Sequence, residues 1–271
     1  MSNSTTINGE LFTNLLAEAQ FAAYENSVAR QIVTAFDFPA NAGKTLQIPI
    51  YSGVTAQNLT EGQAPSSADT GTSSATVELS EAGTYFQLTD FLRDSAERDV
   101  ASDLGTNAGR AIAEKMDGDV FQLFNNFTNE VGTTTSPVSV DTMFEAVAGL
   151  RENKIVGPLY AVLSPRQALA LKKELAVAGG ANLTASGIGD SILREYYIGS
   201  VAGVQVLESS LVPANTGAVF ASTALAHVMR GGVTMETQRQ AAMRAEDIMM
   251  HVVKGEVILQ DGHGVRVVDN S

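Results

Sequence analysis

Three histidines, His227, His251 and His263, are the first residues to weigh for chemistry. Several imidazoles and carboxylates aimed at one point could hold a metal ion or pass a proton. These three sit in strand-like and turn-like stretches with no ligand spacing, so local hydrogen bonding is the role their settings predict. The acid pairs Glu114/Asp117 and Asp117/Asp119 could share a proton if buried. They fall on what reads as the polar face of a helix, where solvation is expected. Gly187-Ile188-Gly189-Asp190 and Asp261-Gly262-His263-Gly264 invite a phosphate cradle. Neither has the spacing of a nucleotide fingerprint and no lysine follows, so turns account for both. There is no Gly-x-Ser-x-Gly elbow. The chain has no cysteine, which excludes disulfides, thiolate nucleophiles and cysteine-based zinc sites. The expectation is no catalytic residue, no cofactor and no metal.

The bulk composition agrees with that. The chain has 271 residues, 44% hydrophobic and 17% charged, a globular balance that suits one large domain or two lobes sharing a core. Tryptophan is absent and aromatics reach 6%. Large aromatics dominate ligand pockets and binding hot spots, so broad, shallow contacts are favoured over a deep site. The formal net charge of -13 lacks the basic footprint of a protein that wraps nucleic acid. The first residues, Met1 to Thr6, are neither basic nor followed by an apolar core, so no signal peptide is expected. No apolar run of about 18 residues occurs, and no membrane helix is expected.

The elements that would position any function come next. Over residues 9–38, Leu11, Leu15, Leu16 and Ala19, then Ala22, Ala23, Val28, Ile32 and Val33, recur at helical spacing. An amphipathic helix, or an arm packed on a neighbouring chain, both fit. Leu46, Ile48 and Ile50 alternate with polar residues as a strand, and Pro49 marks it as an edge. Residues 73–88 favour strand again. Between them lies Ser52 to Thr72, too polar to build a core and too long for a tight turn. Strands of about ten residues would carry it roughly 30 Å from the body. An isolated ribbon is marginal in water, so a second subunit is the simplest support. No Lys or Arg occurs between Lys44 and Arg93, whereas Glu61, Asp69, Glu78, Glu81 and Asp90 do.

Residues 89–127 predict one long helix. Leu92, Ala96, Val100, Leu104 and Ala108 recur every four residues, and Ile112, Met116, Val120, Leu123 and Phe127 continue the stripe. About 35 helical residues would span roughly 50 Å. Gly105, Gly109 and Gly118 mark bends or close approaches of another backbone. A polar break ends at Pro137, and a helix follows from about Asp141 to Asn153 with Met143, Phe144, Val147 and Leu150 on one face. Leu159–Leu163 is a buried strand. Ser164-Pro165-Arg166-Gln167 reads as a capping box opening a helix that stops at Gly179-Gly180. A glycine-rich loop spans 179–191. Strands follow at Val201–Leu207, Ala218–Ala221 and from Val228 onward, with turns at Gly255 and Gly262-His263-Gly264.

This order of parts resembles the major capsid proteins of tailed bacteriophages, which share the Hong Kong 97-type fold. Val162-Leu163-Ser164-Pro165-Arg166-Gln167, with Leu169 and Leu171, looks like the start of the family's axial-lobe helix. Ile198-Gly199-Ser200-Val201-Ala202-Gly203-Val204-Gln205-Val206, then Ser209, Ser210 and Pro213, is similar to a run frequent in that family. The strands after Met229-Arg230 look like the peripheral lobe returning to the long helix. The resemblance spans nearly the whole chain, and it is the order and lengths together that carry it.

The resemblance implies an α+β capsid fold divided into an N-terminal arm (1–43), an extended β-hairpin loop (44–88), a spine helix with part of the peripheral lobe (89–137), an axial lobe (138–227) and closing peripheral strands (228–271). It implies pentamers and hexamers of the chain itself, tiled into an icosahedral shell that encloses double-stranded DNA without binding it specifically. It also implies a portal, a decoration protein in some members, and assembly in the bacterial cytoplasm. Because the arm is short and begins at Met1, a separate scaffolding protein is expected. Candidate intersubunit contacts are Glu61, Asp69 and Glu78 on the loop, with Arg93, Arg98, Arg230, Arg239 and Arg244. An encapsulin-like compartment shell shares the fold and is the first alternative. A small α/β enzyme, which would need a deep polar pocket, is the second. Some family members crosslink through a loop lysine. Residues 45–92 contain none, so mature particles should run as a single-chain band on a denaturing gel, and a ladder of linked subunits would contradict this.

Overall fold

The computed structural model describes residues 4–39, 43–51, 71–95, 100–181 and 199–270, with positions 56, 58, 61 and 62. Helix α1 (Ser4–Asn26) and a single turn, α2 (Ala29–Ile32), lead into β1 (Thr34–Asp37). β2 (Thr45–Tyr51), β3 (Thr72–Glu78) and β4 (Ser80–Thr89) follow, then α3 (Asp90–Ser95) and α4 (Val100–Gln122). After β5 (Glu130–Gly132) come α5 (Val140–Glu152), β6 (Leu159–Leu163) and α6 (Pro165–Ala181). β7 (Ser200–Val201), β8 (Val204–Glu208), β9 (Thr216–Ala221), β10 (Leu225–Gln240), β11 (Ala245–Ile258) and β12 (Gly264–Val268) complete the chain.

The strands form three sheets: β1-β10-β11-β4, β5-β12-β9-β6-β8-β7, and the two-stranded ribbon β2-β3. In β11 the residues Ile248, Met250 and Val252 are buried and share a core with Leu15, Ala19 and Ala23 of α1 and Ala108, Ile112 and Met116 of α4. Their period of two is what places one strand face under the helices. The six-stranded sheet is covered on both faces. Leu159, Ala161 and Leu163 pack with Met143, Ala146 and Leu150 of α5 and Ala168 and Leu171 of α6. Val162, Ala218 and Phe220 pack on the other side against Val120, Phe121 and Phe124 at the end of α4.

Several local features follow the sequence closely. The Ser164 N–H donates to Gln167 Oε1 at 3.1 Å and the Gln167 N–H donates to Ser164 Oγ at 3.3 Å, the reciprocal capping box. The buried Gln167 also donates from Nε2 to Asp269 Oδ1 at 2.9 Å, tying the start of α6 to the end of the chain. Between β7 and β8, Ala202 and Gly203 both have positive φ, the two-residue turn that matches strand twist.

Other expectations are corrected. The 89–127 segment is helical at Asp90–Ser95 and Val100–Gln122, with positions 96–99 outside the described residues. α4 contributes 23 residues, about 35 Å, and a 3-10 turn at Leu123–Asn126 ends it. Leu92 is 44% exposed, so the buried stripe does not reach α3. The strand expected at 73–88 breaks at Leu79, so β3 belongs to the ribbon and β4 to the four-stranded sheet. Gly255 is no turn. It lies inside β11, where a Cβ would come within 2.6 Å of Val77 Cγ1 and 2.8 Å of the Glu78 carbonyl oxygen; the missing side chain lets the root of the ribbon cross the sheet. Phe144, expected in the α5 core, is exposed. The glycine-rich loop lies mostly outside the described residues.

The N-terminal segment packs along its own chain. Gly105 and Gly109 of α4 face α1, and Cβ atoms added there would lie 2.8 Å from the Leu15 carbonyl oxygen and 2.3 Å from that of Ala19. Two small positions one turn apart let the helix backbones touch. Gly118 has open space around its Cα. Gly109→Val should therefore cost about 1–3 kcal/mol by overpacking, whereas Gly118→Ala should add about 1 kcal/mol of helix propensity. Urea midpoints of the two variants check the contrast.

Candidate functional site

At the crossing of α4 with the four-stranded sheet lies a polar layer between apolar clusters. Asp117, 4% exposed, accepts from Ser27 Oγ at 2.6 Å, the Val28 N–H at 2.8 Å and the Ala29 N–H at 3.2 Å. The N-terminus of α2 has no side-chain cap of its own, so a carboxylate from another helix satisfies its free N–H groups. Burial pushes the Asp117 carboxyl above its ordinary value, against the opposing pull of Ser27, the two backbone N–H groups and His227. Two residues on, Asp119 accepts from Lys254 Nζ at 2.5 Å and from Lys115 at 2.8 Å. Burial pushes Asp119 up too, but the two ammonium groups outweigh it and hold its carboxyl below the ordinary value. Lys254, 1% exposed, also donates to Glu256 at 2.7 Å.

The sequence reading had these acids solvated; only Glu114 is exposed. A signal was present. Asp117 stands four residues after Ala113 and four before Phe121, both buried, and Lys254 continues the buried register of Met250 and Val252. His227 is buried with its Nδ1 3.5 Å from Glu256 Oε1, and neither ring nitrogen has a hydrogen-bond partner. His251 meets Thr234 Oγ1 at 2.9 Å and His263 meets Thr223 Oγ1 at 2.7 Å. Among the described residues, no group of three His, Asp or Glu side chains is arranged to hold a metal ion, and no helix is long and apolar enough to cross a membrane. The layer has the makings of a structural lock, because each carboxylate faces a donor; Asp117 also borders an open cleft of about 380 Å³ with Arg110, Glu114 and Glu208.

The second feature is the ribbon. Leu46 pairs with Val77, Ile48 with Ala75 and Pro49 with Ser74. Val77 and Leu79 join Phe38 and Val228 in a small core at its root, with Leu46 and Ile48 packed against it. The Leu79 N–H donates to the Lys44 carbonyl at 2.9 Å and closes the root. Farther out, Tyr51 is 70% exposed.

The eight candidate contact residues are not brought to one place. Glu78 pairs with Lys44 at 3.1 Å beside the root. Arg230 donates to the Gly43 carbonyl and lies 5.0 Å over the Phe38 ring. At the far end of the sheet, Arg239 grips Asp90 through two bonds of 2.6 Å, and Arg244 stands 3.8 Å from the same carboxylate. Glu61 is exposed. Asp69, Arg98 and the Arg93 side chain lie outside the described residues.

A helix strut shared by two sheets, with a ribbon leaving the body at the four-stranded sheet, defines a Hong Kong 97-like capsid subunit. The family model described as phage capsid protein matches residues 71–267, and the chain belongs to that family. Its structural role is that of a major capsid protein, a component of the virion shell. Solved structures carry the same fold at low identity. The capsid of the cyanophage P-SCSP1u aligns with TM-score 0.71 at 16% identity, over 88% of this chain and 87% of that one. A chain from Mycobacterium phage Che8 gives 0.67 at 17%, over 84% and 85%. The virus-like particle from Pyrococcus furiosus gives 0.64 at 12%, over 93% and 97%. No curated protein matches in sequence.

Lys254→Met would leave Glu256 buried without its ammonium partner, while Asp119 keeps Lys115. A loss of about 3 kcal/mol is expected, the lower end for a broken buried pair. Lys254→Met/Glu256→Gln should recover part of it, as read from denaturant midpoints.

Proposed function

We propose that copies of this chain tile as pentamers and hexamers into an icosahedral shell around the double-stranded DNA of a tailed phage. One observation carries the tiling: the β2–β3 ribbon is anchored in the body only at its root. Beyond Ile48 and Ala75 the described residues are exposed apart from the half-buried Ile50, and a two-stranded ribbon alone is marginally stable. Another copy supplies the missing surface. The formal charge of -13 suits a wall that encloses DNA without holding it.

A separate scaffolding protein, a portal and a decoration protein are the further partners of this reading, with assembly in the host cytoplasm. Glu61, Asp69, Arg93 and Arg98 remain the charges proposed to meet neighbours. Glu78, Arg230, Arg239 and Arg244 are engaged within the chain, and any role at a boundary would be shared with those bonds. The likeness to the Pyrococcus furiosus virus-like particle favours a compartment shell as the second reading. Genome-length DNA in purified particles separates the two.

Deleting residues 52–71 and joining Tyr51 to Thr72 through a short Gly-containing turn tests the ribbon. The body should stay folded, with an unchanged circular dichroism spectrum, and electron microscopy should show no closed shells. Normal shells from this variant would refute the assigned role.

A further inference from the structure

The sheets of this protein end in edges of very different kinds. β1 has 4 residues, β5 has 3 and β7 has 2. β4 has 10 and pairs only with β11. Long free edges attract stray strands, and proteins blunt them with Pro, Lys, bulges or a covering element. Ser80 to Thr89 contains no Pro, Lys or Arg, and its only charge is Glu81. Its pairing with β11 runs without a register shift from Ser80↔Lys254 to Thr89↔Ala245. Among the described residues no backbone group bonds to its outer side. Leu88 is its only buried residue, and Tyr85 is 61% exposed.

We propose that the outer edge of β4 is a strand-pairing surface, filled in the particle by an extended segment of a second copy of this chain. The proposal rests on the shell reading above and names where on the subunit a neighbour attaches. Side-chain charge does not draw copies together here. The sheet face beside β4 carries Glu81, Glu236 and Asp247, and the loop is acidic as well. Main-chain hydrogen bonds are indifferent to that sign, and about half of an edge strand's N–H and C=O groups point outward. The same chain also offers a donor, since β2 and β3 have one strand neighbour each.

Amide hydrogen exchange of the unassembled chain and of purified particles tests this. Outward amides of residues 80–89 should slow by about tenfold or more in particles. Particles whose β4 amides exchange at free-chain rates would overturn the proposal and leave the shell reading intact. Failure to form any particle would remove both. Slowing that needs a different added protein would also overturn it. Thr84→Pro and Tyr85→Pro give a second arm, because neighbouring N–H groups point to opposite sides of a strand. One variant breaks a bond to β11 and loses stability. The other should fold with an unchanged urea midpoint and fail to assemble; normal particles from that variant would overturn the proposal.

Discussion

One helix has to bury itself against two sheets at once, and that constraint organises the subunit. The first half of α4 lies between α1 and the four-stranded sheet, through Ala108, Ile112 and Met116. Its last turn and the following 3-10 turn give Val120, Phe121 and Phe124 to the six-stranded sheet. A uniform apolar stripe could slide between the two. The polar layer of Asp117, Asp119, Lys254 and Glu256 sits where the clusters meet and fixes the helix along its axis. Buried charges seldom add net stability, but they penalise every arrangement that leaves one unpaired.

The α1 contact works by the same logic at smaller scale. Gly105 and Gly109 admit the carbonyls of Leu15 and Ala19, and about two turns beyond, Asp117 receives the chain at Ser27 to Ala29. Glycine sets how near the helices lie, and the carboxylate sets where α1 stops. Leu15, Ala19 and Ala23 thereby pack into the body of their own chain.

Features with a short-range physical code were legible in the sequence. The capping box at Ser164, the buried strand at Leu159–Leu163 and the edge proline at Pro49 each depend on neighbours within a few residues. Features decided by distant partners were not. Asp117 looks solvated unless Ser27, 90 positions away in sequence, is known to face it. Gly255 reads as a turn because nothing local says that Val77 crosses above it. Leu92 keeps the helical spacing yet is exposed, because periodicity cannot tell whether a sheet lies beneath. The order of elements survived all these errors, which is why the family could be read when single residues could not.

Leu79 is the shorter of the ribbon's two covalent links to the central sheet, the other running from β1 into β2, and this governs how force travels. A pull along β3 passes straight into β4, whose every residue from Ser80 to Thr89 is paired with β11. Traction along that axis strains all the rungs together in shear, where a pull across the strand would open them one by one. From Thr89 the load passes through Asp90, clamped by Arg239. A subunit built this way answers any pull on its ribbon with its whole central sheet.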